Sequence, residues 1–321
     1  STWPIRETLT MTFSSKLSRG LVLGFSVAAI ACSPNNDEKG GNGSDICDNE
    51  SASGHQSFTV NGVTREYILQ LPSGYDPNTS EPLPLLISFH GNGGCAARYS
   101  QGLDSGPSDL TTLVDTHKII VAYPQGMVRA KGAAEWNPAD AGGDDLANND
   151  VYFSRQLNAE ISANHTIDAT RIYAVGYSNG GMMAYGLACN LGSQIAAIGI
   201  MSGIMLDGQC DTSQYTPVIH FHGTADYILP YAGNQDYRSV AEVMSFWVSH
   251  NQITQTEPTT TTLNEGSVRL DSYTGGAEDS AVHLYTIQEG DHVWFGDNID
   301  GETPTAILWR FLSGYSVSGA N

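Results

Sequence analysis

Residues 176–180 read Gly-Tyr-Ser-Asn-Gly, and this stretch decides which fold the rest of the chain is expected to adopt. Residues 171–175 before it read as a short apolar strand, and residues 181–188 after it read as a helix. A G-x-S-x-G turn between a strand and a helix is typical of a nucleophile elbow, which holds a serine hydroxyl above the N-terminus of the helix. The sequence therefore predicts that Ser178 is a nucleophile in a strained turn, flanked by glycines that let the strand and the helix approach. An incidental serine in a glycine-rich turn is the alternative.

A nucleophilic serine needs a base to take its proton and an acid to orient that base. In chains with this elbow the order is Ser, then Asp or Glu, then His. His292 lies in the loop after the predicted strand at residues 282–287, from which a side chain can reach over the sheet edge. Asp226 follows the predicted strand at residues 217–221 and is the predicted acid, the alternative being a turn aspartate that caps backbone N–H groups. Asp291 competes for this role, but its adjacency to His292 is poor geometry for holding an imidazole.

A glycine-rich loop upstream of the serine is the candidate for half of an oxyanion hole. Residues 90–94 read His-Gly-Asn-Gly-Gly and follow the predicted strand at residues 83–89. They resemble the HGGG-type loop, whose backbone N–H groups approach a substrate carbonyl. We therefore predict that the backbone N–H of Asn92 or Gly93 acts together with the N–H of Asn179.

Three aromatic residues flank these motifs and are candidates for substrate contact. Tyr177 precedes the serine, Trp294 lies two residues after the predicted base, and Trp136 lies between the glycine-rich loop and the elbow. We predict that they line an acyl or aryl site. Because large rings are often buried, packing in the core is the alternative for the two tryptophans.

The remaining pattern predicts an α/β protein. Apolar strands alternate with helical segments along residues 57–321, which favours a mainly parallel central sheet flanked by helices. An Asn-Gly pair at residues 61–62 predicts a hairpin near the start of this segment. We predict one catalytic domain over residues 57–321, with no large lid domain.

Five motifs together resemble one family, the secreted esterases of the polyhydroxybutyrate depolymerase and feruloyl esterase type. The resemblance covers roughly residues 58–314 and implies the α/β-hydrolase fold, ester hydrolysis, no cofactor, and Ser178, Asp226 and His292 as the triad. The chain departs from the family at Asp291, where members often have a glycine. The motifs are His-Gly-Asn-Gly-Gly at 90–94, Tyr-Pro-Gln-Gly at 123–126, Gly-Tyr-Ser-Asn-Gly-Gly-Met-Met at 176–183, His-Gly-Thr-Ala-Asp at 222–226 and Asp-His-Val-Trp at 291–294.

These observations favour a serine carboxylic ester hydrolase that forms an acyl-enzyme. The expected partner is a polymeric ester: feruloyl or acetyl esters of plant polysaccharide, or a polyhydroxyalkanoate or other polyester. The alternatives are a non-catalytic polymer- or carbohydrate-binding lipoprotein on a hydrolase scaffold, and a serine peptidase. The net charge of −20 argues against nucleic acid and anionic lipid as partners, and we expect a monomer.

The N-terminal residues predict export. Residues 16–20 are basic and polar, and residues 21–31 form an apolar run too short to span a membrane, so residues 1–31 read as a signal peptide. Cys32 follows small residues and resembles the lipidated cysteine of a bacterial lipobox, an ordinary secretory signal being the alternative. Residues 32–56 then read as a disordered tether. We predict a lipoprotein at the outer membrane or cell surface, bound to the membrane only by its lipid, or else a freely extracellular protein.

The other four cysteines predict disulfides, because exported proteins meet an oxidising environment. Four cysteines allow three pairings. We favour Cys47–Cys95, which would fasten the N-terminal segment to the oxyanion loop, and Cys189–Cys210, which would join the end of the helix after Ser178 to the segment beyond the next strand. A metal site is not expected, since the chain has neither C-x-x-C nor paired-histidine spacing.

Overall fold

The structure is a computed structural model that describes residues 47–78, 81–129, 132–139, 149–206, 210 and 214–317. The predicted signal peptide, the predicted lipidation site Cys32 and most of the predicted tether lie outside these residues. Within the described ranges, no helix combines the length and the apolar character that crossing a membrane requires.

Within the described residues, ten strands form one sheet, in the order β1-β2-β4-β3-β7-β8-β9-β12-β11-β10. The six strands from β4 to β12 in this order are parallel, and an antiparallel pair flanks them on each side. The bounds are β1 His55–Val60, β2 Val63–Gln70, β3 Leu83–Phe89, β4 Ile120–Pro124, β7 Ile167–Tyr177, β8 Ala197–Met201, β9 Val218–Gly223, β10 Thr259–Leu263, β11 Val268–Tyr273 and β12 Val282–Ile287; β5 Met127–Val128 and β6 Ala134–Glu135 form a separate hairpin.

Helices cover both faces of the sheet, and the alternation along the strands explains why there are two cores. On β3, Leu85, Ile87 and Phe89 point into one core, whereas Leu86 points into the other, because successive side chains of a strand face opposite ways. One core contains residues of α3 (Asp150–Asn164), α4 (Asn179–Asn190) and α5 (Val240–His250), and the other contains residues of α1 (Ala96–Tyr99), α2 (Leu110–His117) and α6 (Pro304–Leu312).

Local signals begin and end several of these elements where the sequence predicts. Asn61 and Gly62 both have positive φ, as the predicted two-residue hairpin turn between β1 and β2 requires. The side chain of Asn149 accepts a hydrogen bond from the N–H of Tyr152 and caps α3. The strands predicted at residues 83–89 and 282–287 have the bounds of β3 and β12.

Two strands, β10 and β11, were not expected from the sequence. They lie between α5 and β12 in the chain and extend the sheet beyond β12. Four consecutive threonines in β10 are exposed, so the strand lacks the apolar alternation by which a half-buried strand is recognised.

Both favoured disulfides are present, Cys47–Cys95 and Cys189–Cys210. The first corrects the predicted domain boundary, because residues 47–56 of the predicted tether are folded onto the domain. Asn49 is buried and accepts a hydrogen bond from the N–H of Ala97, and β1 already begins at His55. The disulfide ties this segment to the end of the glycine-rich loop, as predicted for this pair of cysteines.

Candidate active site

The elbow has the strained backbone that its sequence predicts. Ser178 has φ 55° and ψ −119° and precedes α4. This conformation is sparsely populated for residues with a Cβ and persists where the surroundings over-determine it. Gly176 and Gly180 supply the space, because a Cβ on Gly176 would overlap the carbonyl of Gly180, and a Cβ on Gly180 would overlap the carbonyl of Phe89. The serine is thereby held at the carboxyl end of β7.

The structure brings the three predicted triad side chains together. His292 Nε2 lies 2.9 Å from Ser178 Oγ, and His292 Nδ1 lies 2.7 Å from Asp226 Oδ2. These distances are within the range of good hydrogen bonds. Since the carboxylate only accepts, His292 Nδ1 carries the hydrogen and Nε2 can accept the serine proton.

Asp226 is held ionised by the groups around it. Its Oδ1 accepts hydrogen bonds from the backbone N–H of Ile228 at 3.0 Å and of Leu229 at 2.8 Å. Burial by itself raises the pKa of Asp226, but hydrogen bonds from His222, His292 and Leu229 outweigh it and hold the pKa well below its usual range. The carboxylate is therefore a permanent negative charge beside the imidazole.

Asp291, the competing acid, occupies a different position. Its Oδ1 accepts a hydrogen bond from the backbone N–H of His292 at 2.8 Å. A carboxylate bound to that backbone group shapes the loop and is not the partner of the ring, which pairs with Asp226.

The base-carrying loop is fastened to the neighbouring strand ends. The Tyr177 hydroxyl donates to the carbonyl of His292 at 2.8 Å, and the Ser202 hydroxyl donates to the carbonyl of Val293 at 2.8 Å. A Cβ on Gly223 would overlap the carbonyl of Gly290, so the acid and base loops can approach only because that position is glycine. Neither glycine was predicted to have a role, although Gly223 lies inside the motif at 222–226 and Gly290 adjoins the motif at 291–294.

The oxyanion side requires one correction. The N–H of Gly93 donates to the carbonyl of Ala134 at 2.7 Å, so it is not available to a substrate oxygen. Neither Asn92 nor Asn179 has an acceptor for its backbone N–H among the residues that the structure describes. The candidate donors are therefore the N–H groups of Asn92 and Asn179.

The buried His90 and the half-buried Gln125 hold the glycine-rich loop on the side away from Ser178. His90 Nδ1–H donates to the carbonyl of Gly91 at 2.7 Å, and His90 Nε2 accepts from the N–H of Gly126 at 3.0 Å. Burial lowers the pKa of His90 to about 4, so the ring is neutral, as these two bonds require. Gln125 donates to the carbonyl of Gly94 and accepts from the N–H of Ala96, which fixes the far end of the loop.

The Asn179 side chain joins the two halves of the site. Its Oδ1 accepts from the backbone N–H of Trp136 at 2.7 Å, and its Nδ2 donates to the carbonyl of Trp136 at 3.2 Å. The indole of Trp136 donates to the carbonyl of His90 at 2.8 Å and packs edge-on against Phe89. From the sequence, only the backbone N–H of Asn179 was predicted to have a role, and this side-chain clamp was not predicted.

The predicted aromatic contacts have structural partners. Trp136 and Trp294 are 3% and 9% exposed, and the indole of Trp294 donates to the Thr305 hydroxyl. This burial favours the alternative of core packing for both rings. Tyr177 is also buried, with its ring 5.2 Å from that of His292.

In the described part of the chain, no group of three or more His, Cys, Asp or Glu residues is arranged to hold a metal ion.

Several known esterases are similar to this chain in sequence. Feruloyl esterase B from Piromyces equi is 28% identical over 267 residues, which is 79% of this chain and 46% of that protein. Feruloyl esterase C from Emericella nidulans is 27% identical over 268 residues, 77% of this chain and 90% of that protein. The bifunctional acetylxylan esterase/xylanase XynS20E from Neocallimastix patriciarum is 24% identical over 262 residues, 80% of this chain and 34% of that protein. The chain thus spans less than half the length of two of these three relatives.

Comparison with solved structures and with protein families confirms the predicted fold and family. The acetyl xylan esterase from Aspergillus awamori superposes with a TM-score of 0.58 at 15% identity, covering 81% of this chain and 98% of that one, so the α/β-hydrolase fold is shared. The family described as esterase PHB depolymerase matches residues 65–253. That segment is more than half of the chain and includes the elbow serine and Asp226, so the chain belongs to the esterase PHB depolymerase family.

Proposed function

We propose that this protein is a serine carboxylic ester hydrolase acting on acyl or aryl esters of polymers. The observation that carries the proposal is the unbroken path from Ser178 Oγ through His292 to Asp226, with bonds of 2.9 and 2.7 Å, in a member of an esterase family. The serine has a base within reach, the base has an orienting acid, and the backbone turn presents the hydroxyl at the strand end.

The reaction follows from these contacts. His292 Nε2 takes the proton of Ser178 as its oxygen attacks the ester carbonyl, and Asp226 stabilises the imidazolium that forms. The N–H groups of Asn92 and Asn179 bind the oxygen of the tetrahedral intermediate, each contributing about 3 kcal/mol by the measure of similar donors. His292 then gives its proton to the leaving alcohol. In the second half of the reaction, water attacks the acyl-enzyme with His292 as its base, and His292 returns the proton to Ser178 as the acid leaves.

The surface around the triad supports an acyl or aryl group with apolar character. Four of the seven exposed large apolar side chains in the described ranges lie on loops at the carboxyl ends of β8, β9 and β12, where the triad loops also lie. The names of the relatives include feruloyl and acetylxylan esters, which supports esters of plant polysaccharide; polyhydroxyalkanoate and other polyesters are the second substrate class. The four are Leu206, Tyr227, Ile228 and Val293, exposed by 37%, 63%, 45% and 39%.

We also propose that the protein acts outside the cytoplasm as a monomer. The two disulfides fit an oxidising compartment. The lipid anchor at Cys32 is tested separately from catalysis: Cys32→Ser is expected to move the protein from the membrane fraction to the soluble exported fraction. Wild-type protein that is already soluble and begins after residue 32 would contradict the anchor.

The test of the function is turnover of p-nitrophenyl acetate together with methyl ferulate, acetylated xylan, polyhydroxybutyrate film and an aromatic polyester. Ser178→Ala is expected to lower the rate by about 10⁴- to 10⁶-fold with an unchanged circular dichroism spectrum. Ser249→Ala, on an exposed position of α5, is the control and is expected to keep wild-type activity. Near-wild-type turnover by Ser178→Ala would overturn the proposal, and a wild-type protein that binds the polymers without turnover would favour the non-catalytic alternative.

A further inference from the structure

A row of buried polar side chains runs from Asp226 into the core on one side of the sheet. His220 and His222 are two residues apart on β9, so their side chains lie on the same face. Their rings are stacked with centroids 5.2 Å apart, and His220 Nε2 lies 3.0 Å from His222 Nδ1. His220 Nδ1 lies 2.6 Å from the hydroxyl of Tyr185 on α4. All three side chains are buried, and the mechanism proposed above uses none of them.

The end of the row near Asp226 sets the direction of its hydrogen bonds. His222 Nε2 lies 2.8 Å from the carbonyl oxygen of Leu229 and 3.2 Å from Asp226 Oδ2. Both oxygens only accept, so Nε2 carries the hydrogen. In a neutral imidazole the other nitrogen is an acceptor, so His222 Nδ1 accepts from His220 Nε2–H. His220 Nδ1 then accepts from the hydroxyl of Tyr185, and every donor in the row points toward Asp226.

The opposite arrangement leaves a buried donor without a partner. If His222 carried hydrogens on both nitrogens, His220 would accept at Nε2 and donate from Nδ1 to the oxygen of Tyr185. The hydroxyl hydrogen of Tyr185 would then have no acceptor among the described residues, because His220 is its hydrogen-bond partner there. Such an unsatisfied buried group costs about 1–3 kcal/mol.

The electrostatics of the two inner groups agree with a neutral row. Burial, together with the neighbouring His222, lowers the pKa of His220 well below its usual value. Burial also raises the pKa of Tyr185 well above its usual value, so its hydroxyl keeps its hydrogen. The ring of Tyr185 is stacked on Trp247 at 5.8 Å, which fixes the direction of the hydroxyl.

We propose that His222 is a positioning residue for the catalytic acid, and that His220 and Tyr185 keep it in the Nε2–H form that donates toward Asp226. The row holds no net charge, yet the positive ends of its bond dipoles all face the carboxylate. It therefore stabilises the negative charge of Asp226 without placing a second cation beside His292, where one must form during the reaction.

The contacts of Asp226 show what this donor adds. Ile228 and Leu229 hold Oδ1 by their backbone N–H groups, so the orientation of the carboxylate is set from one side. On Oδ2, His292 Nδ1 at 2.7 Å and His222 Nε2 at 3.2 Å approach the same atom. Loss of the His222 donor would leave Oδ2 held only by the base that it is meant to orient. The inference rests on the triad assigned under the proposed function.

A pair of substitutions at His222 separates its two nitrogens. Gln places its amide nitrogen near the Nε2 position and can still donate to Asp226, whereas Asn reaches only the Nδ1 position. We expect His222→Asn to lower kcat by about 10- to 100-fold with KM within about 2-fold, as small displacements of catalytic groups do, and His222→Gln to lose about 3-fold. His250→Gln is the matched control, because His250 also donates to a backbone carbonyl, that of Gln214, and lies on α5.

A third variant tests the inner end of the row without disturbing the loop at Asp226. Tyr185→Phe removes only the hydroxyl and leaves the ring stacked on Trp247. We expect kcat to fall by about 2- to 5-fold at constant KM, because His220 no longer has a donor that fixes its tautomer. If Tyr185→Phe and His222→Asn lower only the melting temperature and leave kcat unchanged, the row is structural and the proposal is overturned.

Nitrogen-15 NMR of the histidine rings gives a readout that does not depend on turnover. The proposal expects His220 and His222 to be neutral with the hydrogen on Nε2, and the downfield proton of His292 Nδ1–H to shift in His222→Asn but not in His250→Gln. A doubly protonated His222, or either ring with its hydrogen on Nδ1 alone, would overturn it. An active Ser178→Ala protein would instead refute the triad while leaving the tautomer assignment standing.

Discussion

The two sides of Ser178 supply different kinds of chemical group. On one side the proposed acid and base are side chains, Asp226 and His292, carried by loops after β9 and β12. On the other side the candidate donors are backbone N–H groups of Asn92 and Asn179, which every residue except proline has. The acid–base side therefore depends on which residues are present, and the oxyanion side depends on how the surrounding structure holds the chain.

Of the two sides, the acid–base side is expected to show the larger effect of one substitution. Asp226→Asn keeps the shape of the carboxylate but presents a donor where His292 Nδ1–H needs an acceptor, so the wrong tautomer is favoured. We expect a loss of about 10²- to 10⁴-fold in kcat at neutral pH. Steady-state kinetics with p-nitrophenyl acetate measures it.

Asp291→Asn is the matched control for this prediction, because Asp291 is the neighbouring carboxylate and contacts the backbone of the base and not its ring. We expect it to change kcat by less than about 3-fold, as surface polar substitutions do. If Asp291→Asn lost most of its activity while Asp226→Asn stayed active, the acid would be Asp291 and not Asp226.

On the oxyanion side, we expect the loss of kcat from a substitution to depend on the hydrogen bonds that the side chain makes, and not on how near the side chain lies to the substrate. Asn179→Ala keeps the backbone N–H but removes both hydrogen bonds to the backbone of Trp136. We expect kcat to fall by about 10-fold, because the loop opposite the donor loses its clamp. Asn92→Ala is the comparison: its side chain is exposed and its N–H remains, so kcat should stay within about 2-fold. Equal losses in the two variants would contradict this division.

The two disulfides extend the comparison to stability. Cys47 and Cys95 are 48 residues apart and Cys189 and Cys210 are 21 apart, so chain entropy predicts losses of about 4 and about 3 kcal/mol of unfolding free energy when each pair is replaced by serine. Urea unfolding measures both. Only the first pair joins the glycine-rich loop, so we expect it alone to lower kcat, by about 3-fold. A larger loss of kcat on replacing the Cys189–Cys210 pair would refute the claim that the Cys47–Cys95 disulfide supports the glycine-rich loop.

The last expected effect is a change in how stability depends on pH, with no loss of activity required. Burial lowers the pKa of His90 to about 4, against about 6.5 in an unfolded chain. Between these values the unfolded chain binds a proton that the folded protein does not, so stability falls as pH falls from about 6.5 to about 4, by roughly 1.4 kcal/mol per pH unit. His90→Gln, which can still accept from the N–H of Gly126, should reduce the slope of unfolding free energy against pH by that amount. An unchanged slope between pH 6 and 5 would show that His90 is protonated in the folded protein.

Much of the acid–base side could be predicted from the sequence because its signals are local. A strand, a glycine-flanked serine and a helix adjoin in the chain, and Asp226 and His292 each follow an apolar strand. Parallel strands end at one edge of a sheet, so residues distant in sequence meet there without any knowledge of the loops. The contacts among Ser178, His292 and Asp226 agree with that reasoning.

The errors lie where a distant contact decides the outcome. Gly93 lies in a loop typical of oxyanion donors, but its N–H donates to the carbonyl of Ala134. Ala134 lies in β6 and comes close to Gly93 only in the folded protein. Trp136 has the size of a substrate-contacting ring, but the ring packs against Phe89, and the Trp136 backbone bonds to the side chain of Asn179, 43 residues away. The strand β10 has no apolar alternation at all, and only its pairing with β11 makes it a strand.

The position of β10 has a practical meaning for immobilising the protein. It is the outer strand of the sheet, five strand positions from β7, which at about 4.8 Å per strand places it about 24 Å from the strand that carries Ser178. Its four threonines are exposed and chemically mild, so lysines introduced there would offer amines for coupling to a solid support. Protein attached by this edge would keep the carboxyl ends of the parallel strands clear of the support and open to a large, insoluble substrate.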